Sequence, residues 1–255
     1  MVSIGYEEKG VWVHDCTGSI LTKKTILTSA KCVQNKSNKK LRTGDEDLSK
    51  TDDDQYAQTY DFSVVQALVH PDWKQGENDF DHDLALLKLD TEIEFNENTH
   101  AICLPDKSDL DDDARIGHYS IAAGWGQQGG QDQAKLDEAA VTIFAKPYCK
   151  NIYSELTWTS SIMCAGHDVS LAIDIGISLL NSNVLQREID FTCPGDSGAP
   201  LFNRHYYGDG VEYFSILGVH AAPEIYEQKK CLRKPALFAR LDDPENLDWI
   251  EENLV

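Results

Sequence analysis

Short runs of β-branched and aromatic residues, each closed by Gly, Asn, Asp or Pro, recur along most of this chain. Val11–Val13, Ser19–Leu21, Thr25–Thr28, Phe62–Val69, Ala85–Leu89, Tyr119–Ala123, Ala139–Phe144, Phe214–His220 and Leu237–Leu241 all read as strands. Many short strands at this spacing predict barrels or sandwiches. One helix stands out, at the C-terminus. Asp243 suits the N-cap and Pro244 the first helical position, and Leu247, Ile250 and Leu254 mark one helical face. A chain of 255 residues holds one large all-β domain or two small ones.

Charge excludes some classes of partner. The formal net charge is -20, which argues against nucleic acid and against an anionic membrane surface. No apolar run is long enough to span a bilayer. The acids are clustered at Asp45–Asp47, Asp52–Asp54, Asp79–Asp83 and Asp111–Asp113, and such runs usually form solvated loops. The seven cysteines show no CxxC pair, so zinc and dithiol redox chemistry are disfavoured. Their scatter fits disulfides formed in an oxidising compartment. Asn35-Lys-Ser37 is a glycosylation sequon, which agrees with secretion, although the chain carries no signal peptide.

Two segments carry chemistry. A serine nucleophile needs a base, a group that orients the base, and donors for the oxyanion. Cys193-Pro-Gly-Asp-Ser-Gly-Ala-Pro200, followed by an apolar run, presents a serine between glycines, and Asp81-His-Asp-Leu-Ala-Leu-Leu87 places an acid before a buried strand. Together, in this order, they resemble the trypsin-like serine proteases. The resemblance covers nearly the whole chain. It implies two packed six-stranded antiparallel β-barrels and a C-terminal α-helix. The expected divisions are residues 1–117 for the N-terminal barrel, 118–240 for the C-terminal barrel and 241–255 for the helix.

The resemblance implies that Ser197 is the nucleophile, that Asp83 is the triad aspartate, and that the N–H groups of Gly195 and Ser197 form the oxyanion hole. By the same resemblance, Asp196 would receive a new N-terminal ammonium on activation. The family's histidine motif ends Ala-His-Cys, whereas this chain reads Leu27-Thr-Ser-Ala-Lys-Cys32, so Lys31 occupies the place of the base. A lysine base must be neutral, and an adjacent carboxylate favours the charged form. The expectation is a Lys31–Asp83 ion pair that leaves Ser197 unactivated. His82 adjoins Asp83, but strand alternation points it away, toward the surface. His14, His70, His100, His118, His167 and His205 sit in no motif.

The specificity pocket also departs from the family. The resemblance implies that Phe191 stands at its floor, that Ala221-Ala222-Pro223 replaces Ser-Trp-Gly, and that Ala236 follows Pro235 where the family has glycine. Proline offers no N–H to a substrate backbone. His220 lies where some glutamate-specific relatives carry a histidine; the plainer reading is a partly buried strand residue.

The resemblance further implies disulfides Cys16–Cys32, Cys149–Cys164 and Cys193–Cys231. Ser120 and Asn203 occupy the two positions of a family bridge that is absent here. Cys103 resembles the cysteine that tethers an upstream light chain. Met1-Val-Ser-Ile-Gly5 resembles the middle of the family's first strand, which suggests an internal methionine of a longer secreted protein. Residues 169–186 are longer than the family's spacing. They read either as retained intron, since Val169-Ser170 and Leu185-Gln186 are encodable as splice signals, or as a surface insertion. Asp45, Asp47, Asp52 and Asp54 match a loop that binds calcium in some relatives, or form an acidic solvated loop. No cofactor is required beyond such structural calcium.

Two functions follow as expectations. The first is a secreted, non-catalytic serine protease homolog that binds an extracellular protein partner, such as a protease or zymogen, as cofactor or regulator. The alternative is an active endopeptidase using Ser197.

Overall fold

The computed structural model describes all residues except 35–38, 51–57, 62–63, 77–79, 107–114, 127–134, 167–195, 207, 209, 222–233 and 255. Thirteen strands are present among them: β1 Val2–Glu8, β2 Val11–Thr22, β3 Thr25–Thr28, β4 Lys40–Thr43, β5 Gln58–Asp61, β6 Val64–Val69, β7 Ala85–Leu89, β8 Tyr119–Gly124, β9 Asp137–Ile143, β10 Ile162–Gly166, β11 Pro200–Tyr206, β12 Glu212–His220 and β13 Ala236–Arg240. Three helices accompany them: α1 Ala30–Val33, α2 Lys146–Ile152 and α3 Pro244–Glu252.

Strands β8–β13 form a closed barrel in the order β10-β13-β12-β11-β8-β9. All its described pairings are antiparallel. In the N-terminal half the order is β5-β4-β1-β2-β3-β7-β6, a seven-stranded sheet where a six-stranded barrel was expected. Its two edges, β5 and β6, are consecutive in the chain, with only residues 62–63 between them. Three peptide steps reach about 10 Å, so the edges lie close and the sheet is rolled toward closure. Register in the closed barrel also explains a missing bridge. Leu201 pairs with Ala122 and Phe202 with Ile121, which brings Asn203 opposite Ser120.

The C-terminal helix forms as its sequence dictates. The Asp243 side chain accepts hydrogen bonds from Glu245 N (3.1 Å) and Asn246 N (3.4 Å), and Pro244 opens the helix. Leu247 and Ile250 are fully buried; Ile250 belongs to a core cluster against which Leu254 packs. That cluster draws on both halves: Leu27, Leu84 and Leu86 from one, Ile216, Val219, Ala239 and Leu241 from the other. The connecting segment stitches the halves further. Ile102 N donates to Ile20 O (2.9 Å), and Cys103 N donates to Phe214 O (3.0 Å).

A third tie crosses the seam at residues 196–199. Thr17 N donates to Ser197 O at 2.8 Å, and Thr28 Oγ1 donates to Thr17 O at 2.8 Å. Gly198 sits against both threonines in the left-handed region, at φ +84°. A Cβ there would lie 2.1 Å from Thr17 O and 2.3 Å from Thr28 Oγ1. Gly198→Ala is therefore expected to cost about 3 kcal/mol or more, from backbone strain and overlap together. Urea denaturation of the variant measures this; an unchanged midpoint would mean that the two halves separate freely at this point.

Candidate functional site

Asp83 lies in the turn before β7 and is completely buried. Its Oδ1 accepts from Lys31 N at 3.1 Å, at the start of α1. Its Oδ2 accepts no hydrogen bond among the described residues and faces Lys31 Nζ at 3.8 Å. Burial pushes the Asp83 pKa up, and the Lys31 ammonium and backbone N–H oppose that rise. Lys31 itself is nearly buried, with its side chain 12% exposed. Its ammonium also sits 3.9 Å from the ring centroid of Phe80. An ammonium is thus held between a carboxylate and an aromatic face, both of which favour its charged form.

Phe80 was not singled out in the sequence, because it lies inside an acidic run read as a solvated loop. The structure corrects that reading: Phe80, His82 and Asp83 are all buried. The signal available was the aromatic among the acids. His82 is likewise not a surface residue. The strand starts only at Ala85, and His82 takes a left-handed turn conformation, φ 51°, so strand alternation does not apply to it. Its Nδ1 contacts Asn246 Oδ1 at 2.6 Å, and its ring stacks on His70 with centroids 4.5 Å apart. His14 Nδ1 lies 2.8 Å from Ser3 Oγ.

Ser197 is half-buried at the other side of the seam, in the turn closed by Ala199 N donating to Asp196 O at 2.8 Å. Gly198 N donates to His220 O at 2.9 Å, which fixes this turn to the end of β12. The Asp196 carboxylate occupies space left by two glycines: a Cβ on Gly126 would meet its Oδ1 at 2.1 Å, and one on Gly124 at 2.6 Å. His220 is buried beside the backbone of Asp196. Its ring meets Phe238 edge-on at 5.4 Å. Ala236 is buried at the start of β13, opposite Ala165.

Cys16–Cys32 and Cys149–Cys164 are bonded. Cys103 is a free, exposed cysteine whose backbone is held by Phe214 and Ile216. Gly195, Phe191, Pro223, the Cys193–Cys231 pair, the Asn35 sequon and the 169–186 stretch lie outside the described residues. So do Asp52 and Asp54. Asp45 is buried against Arg42 Nε at 2.5 Å. Asp47 pairs with Lys50 (2.9 Å) and accepts from Ser49 Oγ (2.6 Å). The Ser49 hydroxyl first, then Lys50, hold the Asp47 pKa down at about 2. These two carboxylates are each matched to an internal cation, and alone they do not make a calcium cage.

The family model described as Trypsin matches residues 1–250. The chain belongs to the trypsin family. Its relatives there include Venom serine protease Bi-VSP of Bombus ignitus, 30% identical over 191 residues, covering 73% of this chain and 47% of the relative. CLIP domain-containing serine protease B4 of Anopheles gambiae is 29% identical, with 98% of this chain and 65% of the relative covered. Phenoloxidase-activating factor 3 of Holotrichia diomphalia is 27% identical, over 94% of this chain and 64% of the relative. The chain therefore spans 47% to 65% of the length of these curated trypsin-family relatives.

Two predictions follow from the buried charges. Removing one partner of a buried ion pair leaves an uncompensated charge. Lys31→Met is expected to destabilise the protein by about 3 kcal/mol at neutral pH. Because the Asp83 pKa is already raised, protonation relieves that penalty, so the loss shrinks as the solution is acidified. Adding Asp83→Asn restores most of the stability at neutral pH. Urea midpoints of the unaltered protein and the two variants at two pH values test this; a penalty that does not vary with pH would remove the ion pair from the account.

The second concerns His220. Burial pushes its pKa down to about 4 from 6.5, against the backbone of Asp196, which raises it, and with a smaller lowering from the Lys31 ammonium. A depressed folded-state value means stability that is complete above pH 6.5 and is lost as pH falls toward 4. The shift corresponds to about 3 kcal/mol. His220→Leu should flatten the acid limb of the stability profile between those pH values by about that amount. An unchanged acid limb would show that the histidine accepts a proton without cost.

Proposed function

We propose that this chain is a secreted trypsin-family serine protease homolog that does not cleave peptide bonds and acts by binding an extracellular protein, such as a protease or zymogen. The observation that carries the reading is the Lys31 ammonium facing the buried Asp83 carboxylate. In this reading Lys31 stands in place of the base, Asp83 and Ser197 are the vestigial triad members, and Gly195 and Ser197 are the vestigial oxyanion donors. A base must accept the serine proton, and an ammonium held by an anion and an aromatic ring has no lone pair to offer. Loss of one triad member leaves about 10³- to 10⁴-fold catalysis over water, far below a working protease.

A role in a proteolytic cascade is supported by relatives whose names are Phenoloxidase-activating factor 1 and 3. Secretion is supported by the two disulfides, which persist in oxidising compartments. The exposed Cys103 is assigned to a disulfide with an upstream light chain.

A fluorophosphonate probe, which reacts only with an activated serine, tests the central point. The folded protein and its Ser197→Ala variant should both remain unlabelled, while Lys31→His should gain labelling that depends on Ser197. Labelling of the unaltered chain that Ser197→Ala abolishes would instead identify an active endopeptidase with an unusual base.

A further inference from the structure

Two buried imidazoles lie face to face beneath the C-terminal helix. His70 follows β6, and His82 stands in the turn before β7. They are 3% and 8% exposed, and their rings stack with centroids 4.5 Å apart and planes 8° from parallel. The backbone of His70 is fixed from below: His70 N donates to Leu84 O at 3.0 Å, and Trp73 N donates to His70 O at 3.1 Å. Its ring is covered by α3, with the Trp249 ring centroid 4.7 Å away and the backbone of Glu245 beside it. Trp249 in turn packs on the core cluster that contains Ile250. Helix α3 is therefore the lid over His70, and lifting the helix opens that imidazole to water.

Hydrogen bonds fix where protons can go. Asn246 Nδ2 donates to Arg240 O at 2.6 Å, which turns Asn246 Oδ1 toward His82 Nδ1, also at 2.6 Å. An amide oxygen only accepts, so His82 Nδ1 carries the hydrogen and the neutral ring keeps its lone pair on Nε2. That nitrogen faces the carboxylates of Asp81 (3.7 Å) and Glu245 (3.8 Å), which would match a proton placed there. His70 is placed differently. Asp72 N donates to His70 Nδ1 at 3.3 Å, so a proton added at that nitrogen would displace a bond already made. It would also set a second cation on the face of His82. Burial first, and His82 next, push the His70 pKa down to about 4 from 6.5, against Asp72, the backbone of Glu245 and Asp243, which raise it.

We propose that the stacked His70–His82 pair is an acid-sensitive latch, which holds α3 down at neutral pH and lets it lift as the solution becomes mildly acidic. The pair accommodates one proton, on His82 Nε2 between Asp81 and Glu245. A second has no place while α3 covers His70, and it enters when the helix lifts and the ring meets water. Proton uptake therefore draws the population toward the lifted helix as pH falls from 6.5 toward 4. The lift uncovers an apolar face. Leu247 and Ile250 leave the core, and with them goes the cover of Leu27, Leu84 and Leu86. Leu84 adjoins Asp83, so the loosening reaches the residue that faces Lys31.

Amide hydrogen exchange of the whole chain, read as protection factors at about pH 7 and about pH 5, tests the latch. Protection of α3 should fall about tenfold or more between the two. At the lower pH it should lie below that of β12, because the helix opens while the barrel stays closed. His70→Gln cannot take the second proton and should abolish the fall. Glu245→Gln, at a side chain 76% exposed, leaves the core unaltered and removes one carboxylate that matches a charged His82, so it should enlarge the fall. Equal protection of α3 and β12 at the lower pH would mean that the helix leaves only when the whole fold opens, and would overturn the proposal. So would a fall that persists in His70→Gln, or one that Glu245→Gln leaves unchanged.

Discussion

The carboxylate of Asp83 has no access to water, and the centre of this molecule is arranged around that fact. Burial of a charge is tolerated only when hydrogen bonds and an opposite charge compensate it. Here the first residue after Ala30 supplies both, through the Lys31 N–H and the Lys31 ammonium. The short helix α1 is placed for this by the Cys16–Cys32 bond and by β3, which ends two residues before it. An imidazole at position 31 would offer the carboxylate one N–H and keep a lone pair on the opposite side. The ammonium turns the same location into a closed ion pair. Structural need and chemical capacity are thereby separable: the lysine stabilises the Asp83 carboxylate with its charge, and in that charged form it holds no lone pair.

The second dependence is steric. The turn at 196–199 touches the opposite sheet so closely that only glycine fits at 198, and the Asp196 carboxylate fills the space that Gly124 and Gly126 leave open. These contacts hold Ser197 at the seam whether or not it reacts. Retention of the nucleophile segment is therefore compatible with a purely architectural role for it. That is why its presence in the sequence does not by itself establish an activity.

Much of this was legible in advance. Thr25–Thr28 and Ala85–Leu89 are strands with the bounds their residues suggested, and the Asp243–Pro244 start of the last helix was readable from capping chemistry alone. The pairing of Lys31 with Asp83 followed from charge once the two motifs were aligned. What escaped were features set by tertiary context. β4 and β10 lack a clear alternation because one is short and the other, Ile162–Gly166, is buried throughout. The acidic run before β7 looked solvated, yet Phe80 and His82 turn inward, and Asp83 follows them because Lys31 is waiting. Composition describes a segment in isolation, whereas burial is decided by what faces it.

The distribution of charge points the same way. A net charge of -20 raises a general barrier to acidic partners and favours basic ones, but it confers no specificity on its own. Specificity has to come from how individual charges are compensated, as at Asp45, whose carboxylate is taken up by Arg42, and at Asp83, which faces the Lys31 ammonium.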